Sequence, residues 1–265
     1  MSQFKKINLL FLAYTLQMCN FMDTIEAITL KNNKLSMSSD KTASKPPFIP
    51  AQESPLFVKA FTYYMNWFFR YRFRNIWLSQ HYFPEEDSKT IYFLNHTTWW
   101  DGLIPLFLNE NVLKQKGRAM MEDKQMLKYS FFKKIGAFSV HLDNPKSALV
   151  SLRYAVKSMQ RPNAALFIYP EGEINTFSYN KPTFKQGLAW LTEQVPDADV
   201  VPVGIYMHCM YKSKPELVIR IDSAVEIDHT QGSDAINDSL QMEMRNTLRA
   251  LYKQVKDEES LTPLL

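Results

Sequence analysis

Thr90-Ile91-Tyr92-Phe93-Leu94-Asn95-His96-Thr97-Thr98-Trp99-Trp100-Asp101 passes directly from an apolar, β-type run into a polar turn and then into the opening of a helix-like stretch. A histidine and an aspartate five positions apart across a strand-to-helix turn can pair as a base and its orienting carboxylate. Asp101 would hold one ring nitrogen of His96, leaving the other free to take a proton from a hydroxyl. Thr97 and Thr98 suit capping of the following helix or closing of the turn, and Asn95 suits buttressing it. A second apolar run, from Ala164 to Ile168, leads into Tyr169-Pro170-Glu171-Gly172.

Working outward, apolar runs alternate with helical patterns. Strands are expected over Thr90–Leu94, Arg118–Met121, Ala137–His141, Ala164–Tyr169, Asp199–Met207 and Leu217–Ile221. Helices are expected over Gly102–Lys114, Lys124–Lys133, Lys146–Met159, Gln186–Glu193 and Ser233–Lys256. This alternation predicts the α/β class: a mostly parallel sheet flanked by helices. In such sheets the ligand crevice lies beyond the carboxyl ends of the strands, and His96 and Glu171 each follow a strand, so both are expected there.

Five blocks stand in order: Asn95-His96-x4-Asp101, Ile135-Gly136-Ala137-Phe138-Ser139-Val140, Pro170-Glu171-Gly172, Phe184-Lys185-Gln186-Gly187 and Val200-Val201-Pro202-Val203. Together they resemble the glycerolipid acyltransferase superfamily, whose members include enzymes that acylate lysophosphatidic acid. The resemblance implies that His96 and Asp101 are catalytic and that Glu171 helps position the acceptor. It places Gly172 and Lys185 in the substrate site. A carboxylate tied to loop N–H groups is the other reading of Glu171, and a solvated loop lysine the other reading of Lys185. Gly172 suits a positive φ or a close backbone approach.

Two departures bear on the acceptor. Where the family's second block ends in arginine this chain has Leu142, and where the third block reads Pro-Glu-Gly-Thr-Arg it has Glu173 and Ile174. In relatives that use lysophosphatidic acid these arginines are thought to hold the phosphate, which a planar guanidinium binds in bidentate fashion. Their loss points to an acceptor without a phosphate monoester: a sugar hydroxyl, a glycolipid, an amino-acid lipid, a polyene or carotenoid glycoside, or a neutral lysolipid. His141, Lys146, Arg153 and Lys185 are the cations that could compensate.

Composition is consistent with this reading. The 265 residues include 46% hydrophobic and 14% aromatic residues, with a net charge of +4. That charge fits an anionic membrane surface or substrate and is too small to argue for nucleic acid. Cys19 and Cys209 suggest neither a disulfide framework nor a metal site. Cys209, ending an apolar strand, reads as a buried structural thiol. Seven glycines leave no glycine-rich phosphate loop. No metal or prosthetic cofactor is expected, with acyl-CoA or acyl-ACP as co-substrate.

Residues 1–54 read as a disordered or mis-called leader. The apolar run from Ile7 to Cys19 is too short to span a bilayer, and translation from Met37 is one alternative. Residues 55–265 form the acyltransferase domain, opening with a membrane-proximal helical segment over 55–80. Residues 56–78 interleave Phe57, Phe61, Tyr63, Tyr64, Trp67, Phe68, Phe69, Tyr71, Phe73 and Trp77 with Lys59, Arg70, Arg72 and Arg74. Such a segment can lie in a bilayer interface or pack onto the catalytic domain. The expectation is a peripheral O-acyltransferase on the cytoplasmic face of the membrane, carrying an acyl group to a lipid-like hydroxyl. Its rivals are a 1-acyl-sn-glycerol-3-phosphate acyltransferase, an inactive membrane-binding relative, and a thioester hydrolase using the same dyad.

Overall fold

A computed structural model describes residues 48–209, 213–257 and 261–264. Eight strands form one sheet: β1 Ile76–Gln80, β2 Thr90–Leu94, β3 Lys116–Glu122, β4 Ala137–Val140, β5 Ala164–Ile168, β6 Asp199–His208, β7 Glu216–Ile221 and β8 Thr262–Pro263. Their spatial order is β4-β3-β5-β2-β6-β7-β1-β8. From β4 to β6 every pairing is parallel, whereas β6–β7 and β1–β8 are antiparallel. The helices are α1 Pro55–Arg72, α2 Ile104–Leu108, α3 Asp123–Lys128, α4 Pro145–Ser158, α5 Gly187–Gln194 and α6 Ser233–Asp257.

The sheet is covered on both faces, so its central strands are apolar on both. In β2, Tyr92 and Leu94 join a core with α1 and α2, while Ile91 and Phe93 join a second core with α4, α5 and α6. This is the two-residue period of a strand read against two different layers. Each fully buried side chain of this size stabilises by about 1.5–3 kcal/mol, against about 1 kcal/mol for a helix cap. Packing along β2 and β5 therefore fixes the strand ends, and the loops beyond them are free to be polar.

The expected helical segment over 55–80 divides in two. Ser54 and Pro55 start α1, which buries Phe61, Met65 and Phe69 at fourfold spacing. Phe69 packs on Phe107 of α2 with ring centroids 4.8 Å apart. The helix stops at Arg72, and Ile76–Gln80 becomes β1, parallel to β7. The aromatic density runs through both elements and hides the change of period. The helix expected over Gly102–Lys114 is one helical path of three pitches: a 3₁₀ turn over Trp99–Leu103, α2, and a π turn over Asn109–Leu113. The expected helix Lys124–Lys133 is α3 followed by a 3₁₀ turn over Ser130–Ile135.

Residues 48–54, read from sequence as part of the leader, run beside β4. Ile49 N–H donates to Ser139 Oγ at 2.8 Å, and Ser139 N–H donates to the Ile49 carbonyl at 2.9 Å. Arg118 holds Glu53 through two nitrogens at 2.6 and 3.2 Å. This segment covers a sheet edge that would otherwise expose unpaired backbone. Residues 1–47 of the expected leader, Cys19 included, lie outside the described residues. Cys209 is exposed just past β6, where the strand has left the core, rather than buried as its apolar context suggested. Among the described residues no helix is long and apolar enough to cross a membrane.

Candidate active site

Because β4, β3, β5 and β2 run parallel, their carboxyl ends share one edge of the sheet. His96 follows β2 and Glu171 follows β5, so adjacent strands deliver both to one crevice. The turn after β2 starts from a fixed point. Asn95 Nδ2 donates to the Ile205 carbonyl at 2.9 Å, and its Oδ1 accepts from Ile205 N–H at 2.7 Å. The side-chain amide thus continues the pairing of β2 with β6 for one more step.

His96 Nδ1 lies 3.1 Å from Asp101 Oδ2. Asp101 is fully buried, and its carboxylate reaches back to its own turn. Oδ2 accepts from the backbone N–H groups of Thr97 and Thr98 at 2.6 and 2.8 Å, and Oδ1 accepts from Thr98 Oγ at 2.8 Å. This places a carboxylate on the orphan N–H groups that open a helical turn. A carboxylate already accepting these donors accepts from His96 Nδ1–H as well. The ring is thereby held with a lone pair on Nε2, the state a general base needs.

Tyr169 completes the support of the ring. Its ring lies 4.6 Å from that of His96 between centroids, and its hydroxyl donates to the Asp101 carbonyl. Burial, with the Asp101 charge adding to it, holds the phenol well above its usual range, so it stays a donor.

Glu171 is half-buried in the same crevice. Its Oε2 accepts from Asn175 Nδ2 at 3.0 Å. Burial pushes its pKa above the usual carboxylate value and Glu173 adds to this, while the Asn175 amide and the nearby His96 oppose it. Asn175 N–H donates to the His96 carbonyl at 2.8 Å, so one residue ties the Glu171 loop to the His96 turn. Gly172 has φ +72°, and a Cβ there would lie 2.9 Å from Cε and Nζ of Lys185. Lys185 therefore lies across Gly172, with its own N–H on the Pro170 carbonyl at 2.9 Å. All five residues singled out from sequence are brought to this loop pair. Tyr169 and Asn175 were not assigned a role. Tyr169 directly precedes the Pro-Glu-Gly motif, whereas Asn175 carries no local signal, because its partners are set by how two loops meet.

His141, a candidate compensating cation, is already engaged: its Nδ1 lies 2.7 Å from Asp123 Oδ2. Of two cavities here, one is lined by the base, and the second passes near it without touching either residue of the pair. A polar one of about 290 Å³ is lined by His96, Thr97, Glu171, Asn175 and the loop onward to Thr183. A more apolar one of about 390 Å³ reaches Gly102, next to Asp101, and is walled by α1, α2, β3 and Phe167.

Residues 75–206 match the profile of the acyltransferase family, described simply as "Acyltransferase". Among solved structures, the chain is similar to the 1-acyl-sn-glycerophosphate (LPA) acyltransferase PlsC from Thermotoga maritima. Sequence identity is 15%, the match covers 74% of this chain and 79% of that one, and the TM-score is 0.51; at that identity the likeness is one of fold. No curated protein sequence matches the chain. The profile match over residues 75–206, together with the fold that the sheet displays, identifies the chain as an enzyme of the acyltransferase family.

Proposed function

We propose that this enzyme moves a fatty acyl group from a coenzyme A or acyl-carrier-protein thioester to the hydroxyl of a lipid-like acceptor that lacks a phosphate monoester. His96 Nε2 takes the hydroxyl proton as the oxygen attacks the thioester carbonyl carbon. The C–S bond then breaks, and the thiolate leaves with the proton returned by His96. Asp101 keeps the ring oriented and stabilises the imidazolium formed in between. Glu171 positions the acceptor, and the apolar cavity at Gly102 suits the acyl chain.

One observation carries the choice of acceptor. Leu142 and Ile174 stand where the resemblance places phosphate-binding arginines, and the neighbouring His141 is already bound by Asp123. The acceptor side of the crevice carries Glu171 and Glu173, which repel a dianion. The competing reading, acylation of 1-acyl-sn-glycerol-3-phosphate, would rest on Lys185, whose ammonium lies over Gly172. Thiol release from palmitoyl-CoA decides between them, with lysophosphatidic acid or phosphate-free alcohols as acceptor and His96→Ala as the blank. Release only with phosphate-free acceptors is expected; efficient release with lysophosphatidic acid overturns the assignment.

The site is placed at a membrane surface on the cytoplasmic side by the same reading. Tyr63, Trp67 and Tyr71 are exposed at fourfold spacing on α1, and Leu56 and Trp99 are exposed as well. Aromatic rings interleaved with Arg70, Arg72 and Arg74 favour an anionic interface. Sedimentation with anionic phospholipid vesicles tests this. Replacing Tyr63, Trp67 and Tyr71 by serine is expected to weaken binding, and unchanged binding overturns it.

A further inference from the structure

We infer that the polar cavity beside His96 is a headgroup site for a glycosyl or polyol acceptor; this rests on the acceptor reading above and narrows it to one chemical class. The cavity, of about 290 Å³, is lined at one end by Asn95, His96 and Thr97 and closed behind by Leu248 of α6. Its outer wall is the loop after Gly172, which supplies Glu173, Thr176, Ser178, Asn180 and Thr183. These side chains are amides, hydroxyls and carboxylates. Carboxylates only accept hydrogen bonds, and amides and hydroxyls both give and accept them. A ligand with several hydroxyls meets that set; a phosphate, which brings acceptors and negative charge, does not. The cavity's lysine, Lys181, is drawn outward by Asp238, with Nζ 2.8 Å from Oδ1. Glu171 and Glu173 leave the lining acidic.

The cavity also has an apolar face. Phe177 lines it and is held by Tyr206 of β6, with ring centroids 4.3 Å apart. A sugar ring presents C–H groups on one side and hydroxyls at its rim, which fits an aromatic wall opposite polar ones. The loop is preformed rather than assembled on binding. Asn175 N–H holds the His96 carbonyl, Tyr179 packs on Tyr252, and Asn237 Nδ2 donates to the Phe184 carbonyl. Preformed sites with a few convergent polar groups bind without a large ordering cost. The donor's arm fits less well: coenzyme A carries several phosphates, and its pantetheine offers few hydrogen-bond donors to so many acceptors. A headgroup hydroxyl seated against His96 is the one acylated.

The test uses the full chain with palmitoyl-CoA and three acceptors: a long-chain alkyl β-glucoside, hexadecanol and lysophosphatidic acid. The variants are Ser178→Trp, which fills the cavity, and Asn180→Ala, which removes an amide. Both positions are exposed on the loop, and thermal melting checks the fold. The wild type is expected to prefer the glucoside. Both variants are expected to lower the glucoside-to-hexadecanol ratio of kcat/KM, Ser178→Trp by about tenfold or more, as for a site that loses hydrogen bonds to a substrate hydroxyl. Preference for lysophosphatidic acid would mean that the underlying acceptor reading has failed. Use of neutral acceptors with a ratio that neither variant moves would overturn the headgroup site while leaving that reading standing. Equal losses with glucoside and hexadecanol would assign the cavity to the thioester arm and also overturn the inference.

Discussion

Two histidine–aspartate pairs sit on the same edge of the sheet, and by composition they are hard to tell apart. His96 and Asp101 are 3.1 Å apart, with side-chain exposures of 20% and 1%; His141 and Asp123 are 2.7 Å apart, with exposures of 25% and 5%. Their surroundings differ. Asp101 belongs to the turn that carries His96 and collects two backbone N–H groups and a threonine hydroxyl from it. Its histidine packs against Tyr169 with the rings tilted and lines the polar cavity. Asp123 and His141 instead bridge the ends of neighbouring strands. Asp123 takes the Lys124 N–H, and neither residue lines either cavity described above. A close His–carboxylate contact is therefore no site by itself. The first pair faces a polar cavity, where the proposed function needs a base; the second joins β3 to β4.

The contrast breaks most sharply at the bases. His96→Ala is expected to lower kcat about 10³-fold, the scale of a lost general base, whereas His141→Ala stays within about threefold. Thiol release measures both, and a comparable loss at His141 would mean that the second pair is also part of the chemistry. The carboxylates come next. Asp101→Asn should cost about 10²-fold in kcat, because the amide cannot keep the Nδ1–H tautomer in place. Asp123→Asn should leave kcat nearly unchanged and lower stability by about 1–2 kcal/mol, seen as an earlier urea midpoint. Asn175→Ala removes the amide that holds Glu171 and leaves the backbone N–H of residue 175 on the His96 carbonyl. A tenfold rise in KM for the acceptor, at roughly constant stability, is expected, since its partner Glu171 loses orientation. An unchanged KM would detach Glu171 from acceptor binding. The smallest effect belongs to Thr98→Ala, about 1 kcal/mol of stability through the weakened turn, with kcat falling only a few-fold.

The same comparison shows how far the sequence could be read. His96 and Asp101 share one turn, so their pairing is a matter of local spacing. Asp123 and His141 are 18 positions apart, each just past the end of a different strand, and only the β3–β4 register brings them together. Strands β2 and β5 were legible because they are buried on both faces and therefore apolar throughout. β1 was not, because the aromatic run of α1 continues into it. The three-pitch helical path after Trp99 was read as one regular helix, since its apolar spacing hides the π turn at Asn109. The polar cavity has no local signature at all: it exists because the loop after Gly172 folds onto β6 and α6, and composition does not record that contact.

That loop is fastened near its start by Asn175 and at its end by Phe184, whose N–H reaches Gln241 at 3.3 Å, while Thr176, Ser178 and Asn180 between them face solvent. Exchanges at those positions disturb neither the packed sheet nor the turn bearing the base. Under the headgroup proposal, the choice of acceptor then drifts over generations through a handful of exposed codons, while the turn bearing the base is left unchanged.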